Sequence, residues 1–245
     1  MITTPTVTLI AYTIFCKPAH VLWKPSQASD GCALIEFAGR CCYQSWQNPS
    51  GRSNEEYIQN IIELGHLSVL EHAQATFYLE GISRSCSHEI VRHRHLSFSQ
   101  LSQRYVDERD VEFICPPALL EYEDLRQKFE LMVDCAQENY LDLVESLEER
   151  LPLTLDKIQR RKMMRQTARA VLPNATETKM TVTGNLRAWR HFCRLRCSEH
   201  ADAEIRAVAL EILKPLQHIY LPVFADFQHV EMAGVQCAKT ELPHG

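Results

Sequence analysis

The chain has 245 residues, 45% of them hydrophobic and 23% charged, with a formal net charge of −5. A chain of this length and apolar content can build a sizeable core, as one domain or as two closely packed halves, which excludes extended disorder outside its ends. We expect one domain spanning residues 1–245, with about five flexible residues at the N-terminus and about thirteen at the C-terminus. The small number of glycines, 8, favours a helix-rich protein with a modest sheet.

The N-terminal sequence and the cysteines both indicate a cytoplasmic protein. The stretch MITTPTVTLIAYTIF has no positively charged segment typical of a signal peptide, and threonines interrupt its apolar run before it is long enough to span a membrane. The 10 cysteines show neither the spacing of a disulfide framework nor a CxxC pair, so we expect reduced thiols.

Apolar residues at helical spacing predict helices separated by Pro, Gly or polar breaks. In chain order the predicted helices span residues 33–46, a stretch beginning at Asn54, then 83–95, 124–151, 156–171, 186–197 and 201–216. Asn54 and Asn185 are each expected to be an N-cap, because a short side-chain oxygen there can accept a backbone N–H of the first turn. The 124–151 segment has the longest amphipathic pattern, and Pro152 ends it.

Three short segments have the composition of strands. Residues 7–15 are rich in β-branched side chains, and residues 176–183 are rich in Thr. In residues 75–79, Thr76 and Tyr78 alternate with apolar side chains. Gly65–Ser68 is expected to break the helix that begins at Asn54, and Gly184–Asn185 is expected to form a turn between the 176–183 strand and the next helix.

Positive charge is concentrated in one part of this acidic chain. Residues 157–198 contain 11 Lys or Arg against one acid, Glu177. Local positive potential in an acidic protein suits small anionic ligands held in a pocket better than long nucleic acid, whose binding domains are usually basic as a whole. A non-enzymatic nucleic-acid binder that uses this region is an alternative, and its affinity would fall steeply with salt.

The segment Arg92–Tyr105, RHRHLSFSQLSQRY, is the strongest indication of a binding site. Its 14 residues include three arginines, two histidines, three serines and two glutamines, and only four side chains have positions suited to a core. Guanidinium groups match the oxygens of phosphate and carboxylate, and a neighbouring imidazole adds a further donor. An anionic ligand is therefore predicted. The alternative is a solvated polar helix and loop, which would normally mix Glu with Lys.

Two other kinds of site compete with this interpretation. A zinc site, as in a zinc-dependent nucleotide hydrolase, would draw on Cys86, His88, His93 and His95. The neighbouring arginines would repel a cation, and there is no C-x2-C or HExxH pattern, so we predict no metal. Cys193 and Cys197, one helical turn apart, are either a redox pair or, as we favour, two small packing residues.

The predicted helix after Asn185 offers donors in two directions. Arg187 and His191 are four residues apart and share a face, whereas Arg196 is nine residues from Arg187, about 180° around the helix axis. If both faces bind ligand, either the helix ends before Arg196 or the binding sites are shared between subunits. A basic, solvent-exposed helix is the alternative.

The spacing Arg92-His93-Arg94, seven residues, then Ser102 resembles the signature of the flavin-dependent thymidylate synthases. Further segments between Glu36 and Phe227 are similar to that family: EFAGRCCYQSW, GHLSVLEHA, GISRSC, RQTARAVLPNATET and TGNLRAWRHF. The resemblance implies an α+β fold, a helix-rich mixed α/β single domain with a small central sheet and long helices. It also implies a homotetramer with FAD sites at subunit interfaces. The lack of a GxGxxG loop fits FAD bound outside a Rossmann fold.

The reaction that the resemblance implies is reductive methylation of dUMP to dTMP. In that reaction NADPH reduces FAD, 5,10-methylenetetrahydrofolate supplies the carbon, and the reduced flavin supplies the hydride, leaving tetrahydrofolate. The implied partners are dUMP, the folate and further copies of the chain, with no nucleic acid and no membrane. The cofactors would carry the redox chemistry, and the protein would supply orientation and positive charge.

Carried over position by position, the family pattern implies two sets of contacts. Those to FAD are Ser68, Arg92, His93, Arg94, Gln100, Asn185, Leu186, Arg187 and His191. Those to dUMP are Glu89, Ile90, Val91, Arg92, Gln100, Leu101, Ser102, Gln103, Arg104, Arg169 and Arg196. Ser102, Arg104 and Arg169 would lie towards the phosphate. Arg196 is implied to be the catalytic residue, because a guanidinium beside the pyrimidine stabilises negative charge there.

The chain departs from the family pattern within the motif. Many members have Asn-Glu just before its Leu-Ser, where this chain has Ser99-Gln100. A neutral amide cannot act as a carboxylate base, which argues against an acid–base role at this position. Ser102 resembles a nucleophile by placement, but no His or Asp is clearly poised to take its proton, so we expect it to bind substrate.

Overall fold

The computed structural model describes residues 4–47, 51–232 and 234–242. Helices make up 49% of these described residues and strands 19%, which confirms a helix-rich, mixed α/β protein with a small sheet. The helices are α1 (Asp30–Tyr43), α2 (Asn54–Glu63), α3 (Arg84–Ile90), α4 (Pro117–Leu120), α5 (Glu123–Arg150), α6 (Lys157–Ala168), α7 (Leu186–Arg196), α8 (Ala203–Ile219) and α9 (Leu221–Phe224). Short 3₁₀ helices cover Leu67–His72 and Arg169–Val171.

The strands of the described residues form one four-stranded sheet and one hairpin. They are β1 (Thr6–Tyr12), β2 (Gln74–Ser83), β3 (Leu96–Gln100), β4 (Glu177–Asn185), β5 (Gln228–Met232) and β6 (Val235–Lys239). The order in the sheet is β1-β2-β4-β3, and β5 pairs antiparallel with β6 so that Val230 faces Cys237. Each helix in the part of the chain that the structure describes is too short or too polar to cross a bilayer.

The chain folds as two compact units. The α5–α6 unit takes in residues 79–90 and 99–180, together with residues 4–6. The α7 unit takes in residues 91–98 and the described parts of 7–78 and 181–242. Strands β2 and β4 each begin in one unit and end in the other.

In the α5–α6 unit, two long helices pack around a small apolar core. Tyr140 and Val144 lie one turn apart on α5, and Met164 and Ala168 have the same spacing on α6. The fully buried Tyr140 also accepts a hydrogen bond from the Glu108 N–H at its hydroxyl, 3.3 Å away. The core therefore holds the segment after the RHR motif against α5.

In the α7 unit, aromatic side chains fix the buried face of α7. Trp189 packs edge-on to Phe192 and to Phe77 of β2, with ring centroids 5.6 and 5.1 Å apart, and all three side chains are fully buried. The Trp189 indole N–H donates to the carbonyl of Ala75 at 3.0 Å. Because Trp189 and Phe192 face the core, Arg187 and His191 are left exposed on the same helix.

The longest predicted elements are confirmed with small changes at their ends. The 124–151 prediction corresponds to α5, the 156–171 prediction to α6 and the 3₁₀ helix after it, and the 186–197 prediction to α7. Asp156 caps α6, accepting the N–H groups of Ile158 and Gln159. Strong caps and long apolar periodicity are local properties of the chain, so these elements are readily recognised.

The predicted N-cap of α2 is wrong by one residue. Ser53 is the cap: its hydroxyl accepts the Glu56 N–H while the Glu56 carboxylate accepts the Ser53 N–H, a capping box. Asn54 is instead buried, and its amide donates to the Cys32 carbonyl at 3.0 Å and to the Glu36 carboxylate at 2.8 Å. The side chain that resembled a cap therefore joins α2 to α1.

The predicted helix 83–95 is too long, and a strand within the motif was missed. Helix α3 ends at Ile90, after which turns lead into β3, with the Leu96 N–H bonded to the His93 carbonyl. Leu96 and Phe98 alternate with polar residues, a strand pattern that the concentration of charge obscures. Gly184, at the end of β4, leaves room for the Leu96 side chain, because a Cβ there would overlap it.

The C-terminal residues contain more structure than expected. The β5–β6 hairpin extends into the stretch predicted to be flexible. Within the α7 unit, the Ala238 N–H donates to the Cys197 carbonyl at 2.9 Å, and the Lys239 ammonium lies 2.7 Å from the Glu199 carboxylate. Hydrogen bonds and an ion pair hold β6 in place, so a position close to the end of the chain was a poor guide to flexibility here.

All ten cysteines are free thiols. Cys193 and Cys197 are both fully buried, and burial, followed by the hydrogen bond between the two side chains, raises the pKa of the Cys193 thiol well above its usual value. A raised pKa lowers the thiolate fraction and hence the reactivity of the sulfur. These features support the packing role of this pair.

Candidate active site

Helix α7 and its N-cap provide four of the nine predicted FAD contacts: Asn185, Leu186, Arg187 and His191. The Asn185 side-chain oxygen accepts the Ala188 N–H at 2.8 Å, which confirms Asn185 as the N-cap and leaves its amide N–H groups for a ligand. The helix continues to Arg196, so the option of a helix that ends before this residue is wrong. Arg187 and Arg196 therefore lie on one continuous helix and, as shown next, line different clefts.

The RHR cleft lies between the start of the motif and α7 and has a volume of about 340 Å3. It is lined by Arg92, His93, Arg94, His95, Leu96, Ala188, His191, Leu195 and Arg196. Five of the predicted FAD or dUMP contacts are thus brought together, although 92–94 and 191–196 are far apart in sequence. Cationic donors beside a short apolar surface suit a ligand that carries both negative charge and a flat ring.

Inside the RHR cleft, His93 and Arg196 are directly bonded. The Arg196 Nε–H donates to His93 Nε2 at 2.9 Å. Burial, then Arg196 and then His191, lowers the pKa of His93 from 6.5 to about 4, so this imidazole is neutral near pH 7. Burial, followed by Arg194 and His95, also lowers the pKa of His191. The cleft therefore holds neutral imidazoles among permanent arginine charges.

A second cleft, of about 450 Å3, holds two further predicted FAD contacts of the α7 unit. Ser68 and Arg187 line it together with Tyr43 and His66, which the sequence analysis did not select. Arg187 also pairs with Glu71 at 2.6 Å. Both residues lie in the family-like segments EFAGRCCYQSW and GHLSVLEHA, and the side chain of Tyr43 is 81% exposed. Membership of those segments is the one sequence signal that points to them.

The α5–α6 unit holds most of the predicted dUMP contacts. The Gln100 amide donates to Ser87 Oγ at 2.9 Å and to Thr178 Oγ1 at 3.2 Å. Ser102 Oγ accepts the Arg104 N–H at 3.4 Å. A backbone donor cannot remove the proton of a hydroxyl, so this contact supports a binding role for Ser102.

Four predicted contacts have apolar side chains: Ile90, Val91, Leu101 and Leu186. Ile90 and Leu186 are buried, at 1% and 0% exposure, so their side chains belong to the protein interior. The Leu101 N–H is bonded to the Lys179 carbonyl. Any ligand contact at Ile90 and Leu186 would therefore come from backbone atoms.

Two further charged residues lie beside the predicted phosphate contacts in this unit. Arg84 on α3 is close enough to interact electrostatically with Glu108 and with Arg169. Its Nη1 is buried and has no hydrogen-bond partner within the described residues. The basic spacing of Arg84 with His88 and Arg92 was visible in the sequence, but its proximity to Arg169 depends on tertiary packing.

Burial disfavours the ionised form of Glu108. The residue is 2% exposed, and burial raises its pKa from 4.5 to about 7, although Arg84 opposes the shift and Glu177 and Asp107 add to it. An acid whose pKa is higher in the folded state than in the unfolded chain contributes its full stabilisation only at a pH below the pKa of the unfolded chain. That contribution is lost as the pH rises from about 4.5 to about 7.

The Glu108→Gln variant is expected to gain stability relative to the unsubstituted protein as the pH rises. The free energy of unfolding of the variant minus that of the unsubstituted protein should be about 1–3 kcal/mol larger at pH 8 than at pH 5. The amide keeps the shape of the carboxyl group but cannot ionise. Urea denaturation at the two pH values measures the difference, and the exposed Glu112→Gln variant is the matched control. An equal effect of Glu108→Gln at both pH values would contradict the raised pKa.

Within residues 4–47, 51–232 and 234–242, no group of three or more His, Cys, Asp or Glu side chains is placed to hold a metal ion. The four side chains considered for zinc include buried Cys86 and exposed His88. His93, a third member of that set, is bonded to Arg196.

Comparison with known proteins identifies the family. Residues 26–222 match the family model described as thymidylate synthase complementing protein. The chain is 51% identical over 239 residues to curated flavin-dependent thymidylate synthases of Mycobacterium tuberculosis (strain H37Rv) and Mycobacterium avium (strain 104), covering 96% of this chain and 95% of each relative. It is 50% identical over the same length to that of Mycolicibacterium gilvum. The chain therefore belongs to the flavin-dependent thymidylate synthase family and is an enzyme of this type.

Proposed function

We propose that the enzyme converts dUMP to dTMP by reductive methylation, with 5,10-methylenetetrahydrofolate as carbon donor, NADPH as reductant and FAD as bound cofactor. The observation that carries the proposal is the RHR cleft, where the motif and α7 bring Arg92, Arg94 and Arg196 together with neutral imidazoles. Such a cleft supplies fixed positive charge without a titrating acid, as expected for a site whose redox chemistry comes from a cofactor.

The residues of the α7 unit fit FAD. Its diphosphate needs cationic or N–H donors, which the RHR cleft and the N-terminus of the 11-residue helix α7 supply. Its planar ring needs an apolar surface, which Leu96, Ala188 and Leu195 offer. We propose FAD contacts from Ser68, Arg92, His93, Arg94, Gln100, Asn185, Leu186, Arg187 and His191. When bound, the flavin supplies the hydride chemistry.

For dUMP, we propose separate contacts for the phosphate and for the uracil ring. In the α5–α6 unit, Ser102, Arg104 and Arg169 bind the phosphate, and Arg84 adds positive charge near Arg169. The remaining proposed contacts are Glu89, Ile90, Val91, Arg92, Gln100, Leu101 and Gln103. Arg196 of the α7 unit holds the uracil ring and stabilises negative charge on it, the role proposed as catalytic.

We further propose that a homotetramer of one-domain subunits, residues 1–245, works in the cytoplasm with sites shared between subunits. The support is α7, which places Arg187 in one cleft and His191 and Arg196 in another. Size-exclusion chromatography with light scattering tests the assembly.

A visible absorption spectrum of the purified protein tests the function. We expect a flavin spectrum, retained or restored by added FAD, and oxidation of NADPH that increases when dUMP is added. Protein that is colourless after FAD addition and shows no dUMP-dependent NADPH oxidation would contradict the proposal. Salt-sensitive binding to nucleic acid without a chromophore would favour the nucleic-acid alternative, and inactivation by chelators would favour the zinc hydrolase.

A further inference from the structure

The hydrogen bond between Arg196 and His93 fixes the protonation state of the imidazole. A guanidinium has donors and no acceptor, so Arg196 Nε–H must donate across the 2.9 Å separation. His93 Nε2 must then be an unprotonated acceptor, which places the ring proton on Nδ1 and excludes an imidazolium. The contact joins the motif to the last residue of α7, 103 positions away in sequence.

Packing against buried side chains holds the His93 ring in place. The ring packs edge-on to Phe192, with centroids 4.9 Å apart, and Phe192 is fully buried against Trp189. The His191 ring lies 6.2 Å from the His93 ring in the same cleft. An acceptor fixed in this way determines the direction of a flexible arginine side chain.

We propose that His93 is a positioning residue: as a neutral Nε2 acceptor it orients the Arg196 guanidinium for contact with the pyrimidine of dUMP. This inference rests on the proposed function and adds a role for His93 besides its FAD contact. It gives the two predicted ligand sets a direct link, because a residue of the flavin set holds the residue proposed to bind the uracil.

The surrounding charges favour the neutral form of His93. The His95 and His191 rings line the same cleft, and its permanent charges are those of Arg92 and Arg94, from the same segment as His93, and of Arg196 from α7. A proton on Nε2 would break the bond to Arg196 and add a positive charge among them. The lowered pKa of His93, about 4, agrees with this geometry and indicates that the acceptor persists at neutral pH.

The first test compares His93→Leu, which removes the acceptor, with His93→Gln, which can place an amide oxygen near the position of Nε2. We expect His93→Leu to weaken dUMP binding to the FAD-loaded protein by about ten- to hundredfold, and His93→Gln by no more than about threefold. Calorimetry measures dUMP affinity, the flavin spectrum measures FAD occupancy, and circular dichroism checks folding. If His93→Leu does not fold, His93→Asn, whose amide is too short to reach the Nε2 position, replaces it with the same expectation.

A double-mutant cycle separates positioning from a structural effect. In the Arg196→Ala background, loss of the His93 acceptor should cause no further loss of dUMP affinity, because its partner is already absent. Equal fold-losses in the two backgrounds would overturn the positioning role. A wild-type protein that binds FAD but no dUMP would overturn the proposed function and this role together, whereas additive effects in a dUMP-binding protein would overturn this role alone.

The ring proton offers a readout that requires neither substrate nor activity. In protein labelled with [15N]histidine, the His93 resonances are those lost in His93→Gln. We expect an unprotonated Nε2 and a protonated Nδ1 at pH 7, and a change in the Nε2 shift in Arg196→Ala. A protonated Nε2 at pH 7 would overturn the inference, since it cannot accept the Arg196 bond.

Discussion

Arg196→Ala is expected to lower kcat for dTMP formation by about 10²- to 10³-fold, the range for losing one group that stabilises developing charge. The guanidinium is charged at every relevant pH and is held by His93 in the RHR cleft. FAD occupancy is expected to remain, because the proposed partner of Arg196 is the uracil ring. Chromatographic assay of dTMP and the flavin spectrum of the same sample measure the two effects.

His191→Ala is the matched control for this variant. His191 lies on the same helix and in the same cleft, but it is assigned to FAD, so its loss should lower flavin occupancy first. The two variants should therefore differ in which ligand is lost. Loss of flavin with unchanged dUMP affinity in Arg196→Ala, or normal flavin occupancy in His191→Ala, would contradict these assignments.

The sequence predicted α7 well because the relevant signals are local. Asn185 is a strong cap, and Trp189 and Phe192 mark the buried face. The grouping of donors was different: the four-residue spacing placed Arg187 with His191, whereas the structure places His191 with Arg196 in the RHR cleft and Arg187 in the second cleft. The RHR segment stands out as a predicted binding site because its donors are consecutive.

Features that depend on tertiary packing could not be predicted in the same way. The hydrogen bond between His93 and Arg196 joins two segments that are far apart in sequence, and the sequence does not indicate which of their residues meet. The raised pKa of Glu108 arises from burial, and an isolated Glu between Asp107 and Arg109 looks like an ordinary surface residue. Strand β3 was missed because short alternation is a weak signal when most of its residues are polar.

Asp226→Ala is expected to lower the free energy of unfolding by about 3–5 kcal/mol, because it leaves a buried guanidinium without its counter-charge. Arg190 of α7 is 1% exposed and makes two hydrogen bonds to the Asp226 carboxylate, at 2.7 and 2.8 Å. It also donates to the Val223 carbonyl and lies over the Phe227 ring, 5.0 Å from the centroid. Burial alone would raise the pKa of Asp226, but Arg190 more than offsets it and holds that pKa below 3.8.

Urea denaturation of three variants shows why Asp226→Ala lowers the free energy of unfolding. Lys214→Ala, which breaks an exposed pair with Glu211 on α8, should cost less than about 1 kcal/mol. The double variant Arg190→Met/Asp226→Leu should recover much of the stability lost in Asp226→Ala, because it removes the stranded charge as well as the bond. A double variant no more stable than Asp226→Ala would mean that the lost contacts, rather than the unpaired guanidinium, dominate. Since Arg190 is adjacent to His191, flavin affinity should fall with stability in Asp226→Ala and stay unchanged in Lys214→Ala.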